Sequence, residues 1–272
     1  MTDLGLTSPV LVAAGCGGTG RELDAVGGLA GVGGFVTRSI TVGARAGTAG
    51  TRVVESAAGF VHATGLQNPG LDQFLATELP WLAAHEVRAF VSVAASSLGE
   101  YADLGRRLGR SPGVAGIEVN LAPPDGLALG LFDAREPFQA ARAIDAVRGN
   151  LPGGIPVLAK LGHDPVRVVE TARAVAEAGA DAVVLGNALP ALLPDGRPGG
   201  LSGPAILPVA LRCVADVRSA LPGLTLVGAG GASSAGDVRA FLAAGATAVQ
   251  IGAALLHDPT TAARAAADLG GM

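Results

Sequence analysis

Three groups of residues in this chain have types and spacing that could do chemistry. The first is Lys160, which closes the apolar run 156–160 (PVLAK) and so places a cation at the end of what reads as a buried strand. The second is a pair of small-residue loops, 228–234 (GAGGASS) and 252–254 (GAA), each following another apolar run. Glycines let a backbone approach closely and aim its N–H groups at an anion, and a helix starting just after such a loop adds a favourable dipole. The third is a scatter of polar groups, Arg38, His62, Asn120, Asp125 and Asn187, of types that grip a carboxylate, hydrogen-bond a ring or move a proton.

The elements that must position these groups follow a simple rhythm. Eight short apolar runs recur, at 10–14, 34–37, 89–93, 116–120, 156–160, 182–185, 225–228 and 248–251. Each has the look of a strand buried on both faces. Helical spacing between them predicts helices over 71–85, 98–108, 137–147, 166–178, 204–220, 235–244 and 260–268, with Asp164-Pro165 as an N-cap and first helical residue. Eight such units in 272 residues predict one α/β domain over 1–272, a (β/α)8 TIM barrel. One connection breaks the rhythm. Residues 39–70, after the second strand, carry turn-forming residues at Gly43, Gly47, Gly50, Gly59, Gly65 and Pro69 and short β-prone pieces, and read as an excursion over the active face. Residues 190–202 read as a second, shorter one.

Composition narrows the function classes. Hydrophobic residues make up 49% and charged ones 15%, which suits buried parallel strands under Ala-rich helices. A net charge of −4 with no basic cluster argues against nucleic acid. Cys16 and Cys213 make no disulfide framework and fit a reducing cytoplasm. Neither a secretory leader nor a long charge-free apolar run is apparent, so a membrane anchor is not expected.

In a barrel the strand ends and the loops after them form the catalytic face, and the loops after strands seven and eight are its usual phosphate site. Both Gly loops fall there. A phosphate alone does not choose between a sugar phosphate and a nucleotide cofactor. Lys160 suits the electron-rich edge of a flavin, whose reduced anion it would stabilise, and suits a Schiff base equally.

Residues 52–70 (RVVESAAGFVHATGLQNPG) and 199–210 (GGLSGPAILPVA) resemble the dihydroorotate dehydrogenases, as do Lys160-Leu161, EAGAD at 177–181 and GATAVQI at 245–251 ahead of His257-Asp258-Pro259. The likeness runs over nearly the whole chain, and the wording at 52–70 is most similar to the class that pairs with an iron–sulfur flavoprotein subunit. The resemblance implies an FMN-dependent oxidoreductase of CH–CH donors in pyrimidine metabolism, with an electron-transfer flavoprotein partner, a homodimer and no metal at the site. It implies FMN contacts at Ala14, Gly15, Lys160, Asn187, Gly203, Gly230, Gly231, Ser233, Gly252 and Ala253, and substrate contacts at Arg38, Asn68 and Asn120.

The substrate side departs from the family pattern. Where the family reads Asn-x-Ser-Cys-Pro-Asn, with Cys or Ser as proton-accepting base, this chain has Asn120-Leu121-Ala122-Pro123-Pro124-Asp125. Proline at 123 cannot move a proton. Asp125 replaces a substrate-binding Asn, Arg38 a Lys, His62 an Asn and Ala188 a Ser or Thr. His62 and Asp125 are therefore the expected replacement bases. Cys16 reads as a small filler, Cys213 as core, His163 as loop packing, His257 as a structural cap, and Trp81 and His85 as packing or interface residues. The expected substrate is a dihydropyrimidine or another small cyclic amide. The alternatives are dihydroorotate itself, a flavin- or ligand-binding protein without turnover, and a flavin-free sugar-phosphate barrel.

Overall fold

The computed structural model describes residues 2–270; Met1, Gly271 and Met272, the ends of the expected domain, lie outside the described residues. The described residues form twelve strands: β1 Val10–Val12, β2 Gly34–Val36, β3 Val53–Ser56, β4 Gly59–His62, β5 Ala89–Val93, β6 Val114–Asn120, β7 Val157–Leu161, β8 Ala182–Leu185, β9 Leu189–Leu192, β10 Pro198–Ser202, β11 Thr225–Ala229 and β12 Ala248–Ile251. Eight of them close a parallel barrel in the order β1-β12-β11-β8-β7-β6-β5-β2. All eight predicted runs are barrel strands, within two or three residues at each end.

Side chains alternate along each strand, so each contributes to two cores. Outward residues such as Val91, Val119, Val183 and Ile251 pack under the helices. Inward residues Leu11, Val36, Phe90, Leu158, Val184 and Val227 fill the lower barrel, with Leu4 packed against them. Higher up, the inward positions become polar. Ser92, Glu118, Asn120, Lys160 and Gln250 are all buried. That change from an apolar floor to a polar upper layer marks the functional end of the barrel.

The two excursions meet. β3 and β4 form a hairpin, β9 and β10 form another, and they join into one antiparallel sheet in the order β3-β4-β10-β9, with Gly200 opposite His62 and Ser202 opposite Phe60. The sequence places both excursions on the active face but carries no local signal for their mutual pairing, which lies some 140 residues apart in the chain.

Helices differ from expectation in three places, of which the simplest is the one expected over 204–220, where a 3-10 turn Pro204–Ile206 precedes the helix Leu207–Ala220. The helix expected over 71–85 is broken into Leu71–Gln73, a π-helical turn Phe74–Glu78 and Leu79–Ala84. Pro80 lacks the N–H that would bond four residues back, and the wider turn precedes it. The helix expected from Val166 starts at Val168, Arg167 takes the N-cap position without a side-chain bond, and Pro165 lies in the preceding turn. Asp164 still accepts from the N–H groups of Val166 and Arg167, so it organises the turn one step earlier. Among the described residues no helix is long and apolar enough to cross a membrane.

Candidate active site

A cavity of about 320 Å³ opens between the barrel's C-terminal end and the four-stranded sheet. Lys160 and Gln250 form its floor from inside the barrel, His62 and Ser202 reach it from the sheet, and the loop after β6 brings Pro123 and Asp125. Of the residues singled out in the sequence, Ala14, Gly15, Arg38, His62, Asn120, Asp125, Lys160, Asn187, Gly203, Gly230, Gly231, Gly252 and Ala253 line it.

Two do not, and both expectations need correction. Asn68 is buried, and its amide is spent on its own loop: the oxygen accepts from the N–H groups of Thr41 and Gly70, and the nitrogen donates to Thr41 Oγ1 and Leu66 O. It clamps the excursion and does not face the cavity. Ser233 is exposed, and both its N–H and its hydroxyl donate to the Asp237 carboxylate at 2.9 and 3.1 Å. That carboxylate already occupies the anion-seeking start of the helix Ala235–Ala243.

The glycine cradle is built to admit an anion. Gly230 and Gly231 have φ of 122° and 80°, and their N–H groups meet no protein acceptor among the described residues. A Cβ on Gly231 would fall 2.8 Å from Leu207 N and 2.9 Å from Gly203 O, so nothing larger fits. His163 stands behind the cradle. Its Nε2 lies 3.1 Å from Ala229 O, and its ring fills the space that a Cβ on Gly186 or Gly230 would need. Its expected packing role is therefore specific, since it supports the cradle from beneath.

A chain of amides and hydroxyls crosses the cavity's inner wall. Asn187 donates to Asn120 Oδ1 at 2.8 Å, Asn120 donates to Ser39 Oγ at 3.1 Å, and Ser39 pairs with Ser92 at 2.9 Å. These bonds hold both asparagines in fixed orientations beside Lys160, whose strand neighbour in the sheet register is Asn120 itself. Arg38 also lines the cavity, and its buried Nε has no hydrogen-bond partner among the described residues. A guanidinium held this way is ready for an anionic ligand.

On the sheet side, His62 Nε2 lies 3.1 Å from Ser202 Oγ. Burial pushes the His62 imidazole below the usual histidine range, and the nearby Asp125 charge opposes that shift. Burial pushes Asp125 above the usual carboxylate range, against its own backbone hydrogen bond and the attraction of His62 and Arg45. A neutral imidazole beside a carboxylate can take up a proton and be stabilised once charged. Cys16 also reaches the cavity, but desolvation raises its thiol to about 11 despite Lys160, so it stays protonated. His257 packs on Phe60 and His85 on Trp81, while Cys213 is core, as expected for structural residues.

Sequence reasoning missed Glu118, Gln250 and Ser202. Glu118 and Gln250 sat inside runs read as wholly buried (GIEVN and AVQI), and a charged or amide side chain in such a run was itself the available signal. Ser202 had no signal, because only the pairing of the two excursions brings it to His62.

Comparison with known proteins places the chain. The family model described as dihydroorotate dehydrogenase matches residues 1–271. The catalytic subunit of dihydroorotate dehydrogenase B (NAD(+)) from Desulforudis audaxviator is 42% identical over 99% of this chain and 90% of its own length. The subunit of the same name from Anoxybacillus flavithermus is 38% identical over 95% of this chain and 85% of its own. Their name, a catalytic subunit, implies a partner subunit in those enzymes. Among solved structures, a dihydroorotate dehydrogenase from Eimeria tenella, crystallised with ferulenol, superposes with a TM-score of 0.81 at 18% identity, over 96% of this chain and 80% of that one, and shares the barrel fold. The chain thus belongs to the dihydroorotate dehydrogenase family, flavin-dependent oxidoreductases that act on a CH–CH bond.

Proposed function

We propose that residues 1–272 act as one FMN-binding domain that oxidises the CH–CH bond of a dihydropyrimidine or related small cyclic amide. The cradle supports FMN as the cofactor. The N–H groups of Gly230 and Gly231, with Gly203, Gly252 and Ala253, would hold its phosphate, and Ala14, Gly15, Asn187 and Lys160 its remaining parts. When bound, FMN supplies the hydride acceptor. The protein's own residues do the rest. Arg38 grips an anionic or carbonyl group of the substrate, Asn120 fixes its ring, and His62 takes the proton from the carbon next to the one that loses hydride. Asp125 stabilises the imidazolium so formed.

The observation that carries this reading is that His62 and Asp125 enter the cavity from the sheet and the loop, beside Pro123, where the resemblance puts the family's base. A second reading, ordinary dihydroorotate oxidation, is favoured by identity of 42% to a dihydroorotate dehydrogenase B subunit across almost the full chain. On either reading the electrons leave through a partner flavoprotein subunit. We further propose, from the family resemblance alone, that the chain acts in the cytoplasm as a homodimer.

An anaerobic absorbance spectrum of the purified protein, before and after dihydroorotate, tests the proposal. A flavin spectrum that dihydroorotate does not bleach, but a neutral dihydropyrimidine or cyclic amide does, is the expected result. Bleaching by dihydroorotate establishes the second reading. Absence of flavin, even after incubation with FMN, overturns both.

A further inference from the structure

Three polar side chains form a closed triangle inside the barrel. Lys160 Nζ donates to Gln250 Oε1 at 2.8 Å and lies 3.2 Å from Glu118 Oε1, while Gln250 Nε2 donates to Glu118 Oε2 at 2.5 Å. Glu118 is wholly enclosed and Gln250 is 1% exposed. In the barrel order β12 and β6 lie on opposite walls, so Gln250 reaches across the interior to grip Glu118. Among the described residues Glu118 Oε1 receives no hydrogen bond, and only the ammonium answers it.

Packing alone does not call for this arrangement. Apolar residues of similar volume usually stabilise a core as well as a buried ion pair does, and a buried carboxylate is tolerated only with a partner. Four residues of the same interior, Leu11, Phe90, Leu158 and Val227, show that the barrel is otherwise filled in the ordinary way. The asymmetry of exposure gives the pair its meaning. Lys160 and Gln250 line the cavity, whereas Glu118 stands behind them and does not. Anything seated on the cavity floor meets the ammonium directly and the carboxylate at second hand.

We infer that Glu118 is a positioning residue that sets how much positive charge Lys160 presents to the bound flavin, and thereby lowers the flavin's electron affinity relative to an unpaired lysine. The inference rests on the FMN reading above. The other titratable groups that feel Lys160 are Cys16 and His163. The first keeps its proton, and burial pushes the second below the usual histidine range. Glu118 is therefore the anion that offsets the ammonium. Gln250 fixes the separation of the two charges by binding both.

The test is spectroelectrochemical titration of the flavin-loaded protein at neutral pH, for the wild type, Glu118→Gln, Lys160→Met and the double variant. Glu118→Gln keeps the shape and removes the charge. Its midpoint should rise, so that at the wild-type midpoint the ratio of reduced to oxidised flavin increases about tenfold, the order of one charge's effect at an intermediate effective dielectric. In the Lys160→Met background the same change should do less, because the carboxylate acts on the flavin through the ammonium it offsets. Glu118→Asp, which keeps the charge but withdraws it, should shift the midpoint the same way by less, and serves if Glu118→Gln does not fold. Flavin bound at full occupancy with an unmoved midpoint in both variants overturns the inference. So does an equal shift with and without Lys160. A wild type that holds no flavin overturns the cofactor assignment, and this inference with it.

Discussion

The two halves of the cavity are built on different principles. The cradle half is backbone and barrel: Gly230 and Gly231 at strand ends, supported by His163, with Lys160 locked to Glu118 and Gln250. The sheet half is side chains on excursions: His62 from β4, Ser202 from β10, and Pro123 and Asp125 from the loop after β6. By the resemblance read in the sequence, the cradle half keeps the family's residue types, while the sheet half departs from them at His62, Pro123 and Asp125. A backbone cradle constrained by sterics and a buried charge constrained by desolvation tolerate little substitution, whereas residues on surface excursions can change with little effect on the core. On the proposed reading, this difference corresponds to one retained cofactor and a retuned substrate.

The sharpest way to break this comparison is to attack the buried charge. Lys160→Ala leaves Glu118 enclosed without a counter-ion, and removing one partner of a buried pair destabilises by about 3–5 kcal/mol. The expected outcome is a large drop in denaturation midpoint together with weaker flavin retention that excess FMN restores. A variant with wild-type stability and flavin content would mean that the triangle is not under load.

On the sheet side the effect should be kinetic. His62→Ala is expected to lower kcat/KM by about a hundredfold to ten-thousandfold, the usual range for removing a general base, with little change in stability or flavin content. The pH profile carries more information. Protonated His62 cannot accept a proton, so activity falls as pH drops through its pKa, and burial puts that limb below the ordinary histidine range. Asp125→Asn removes the charge that raises this pKa, so the limb should move lower still. A limb that stays put in Asp125→Asn would uncouple the two residues and exclude Asp125 as the base.

A smaller effect is expected at the cradle. Gly231→Ala puts a Cβ against the backbone of Leu207 and Gly203 at positive φ, and strain of this kind costs about 1–3 kcal/mol. Weaker FMN retention, read by equilibrium dialysis, should exceed what the stability loss explains. Equal losses would reduce Gly231 to a tight turn.

The barrel and the cradle half were legible in the sequence for the same reason. Buried parallel strands and Gly loops leave local patterns, so the runs at 89–93, 182–185 and 248–251 coincide with β5, β8 and β12. The sheet half was legible only as a list of residues. His62 and Ser202 meet because β4 pairs with β10, a long-range contact with no local pattern, and Asn68 has a type that suits substrate while its loop consumes every hydrogen bond it can make. Glu118 was legible in principle, but periodicity alone treats an inward polar residue in an apolar run as noise.

The smallest expected effect lies at the cradle's outer edge and tests where the cradle ends. Ser233 donates twice to Asp237, and Ser234 caps the same helix by accepting from Asp237 N. If the phosphate is held by Gly230 and Gly231 from inside, Ser233→Ala loses one exposed hydrogen bond, changes stability by about 1 kcal/mol or less, and leaves FMN affinity unchanged. If FMN affinity falls, the Asp237 carboxylate must yield Ser233 to the phosphate on binding. Asp237→Asn would then tighten FMN, because it removes an anion that competes with the phosphate for the same donors. The sign of the Asp237→Asn effect therefore says whether the cradle is complete before the cofactor arrives or is finished by displacing the helix's own carboxylate.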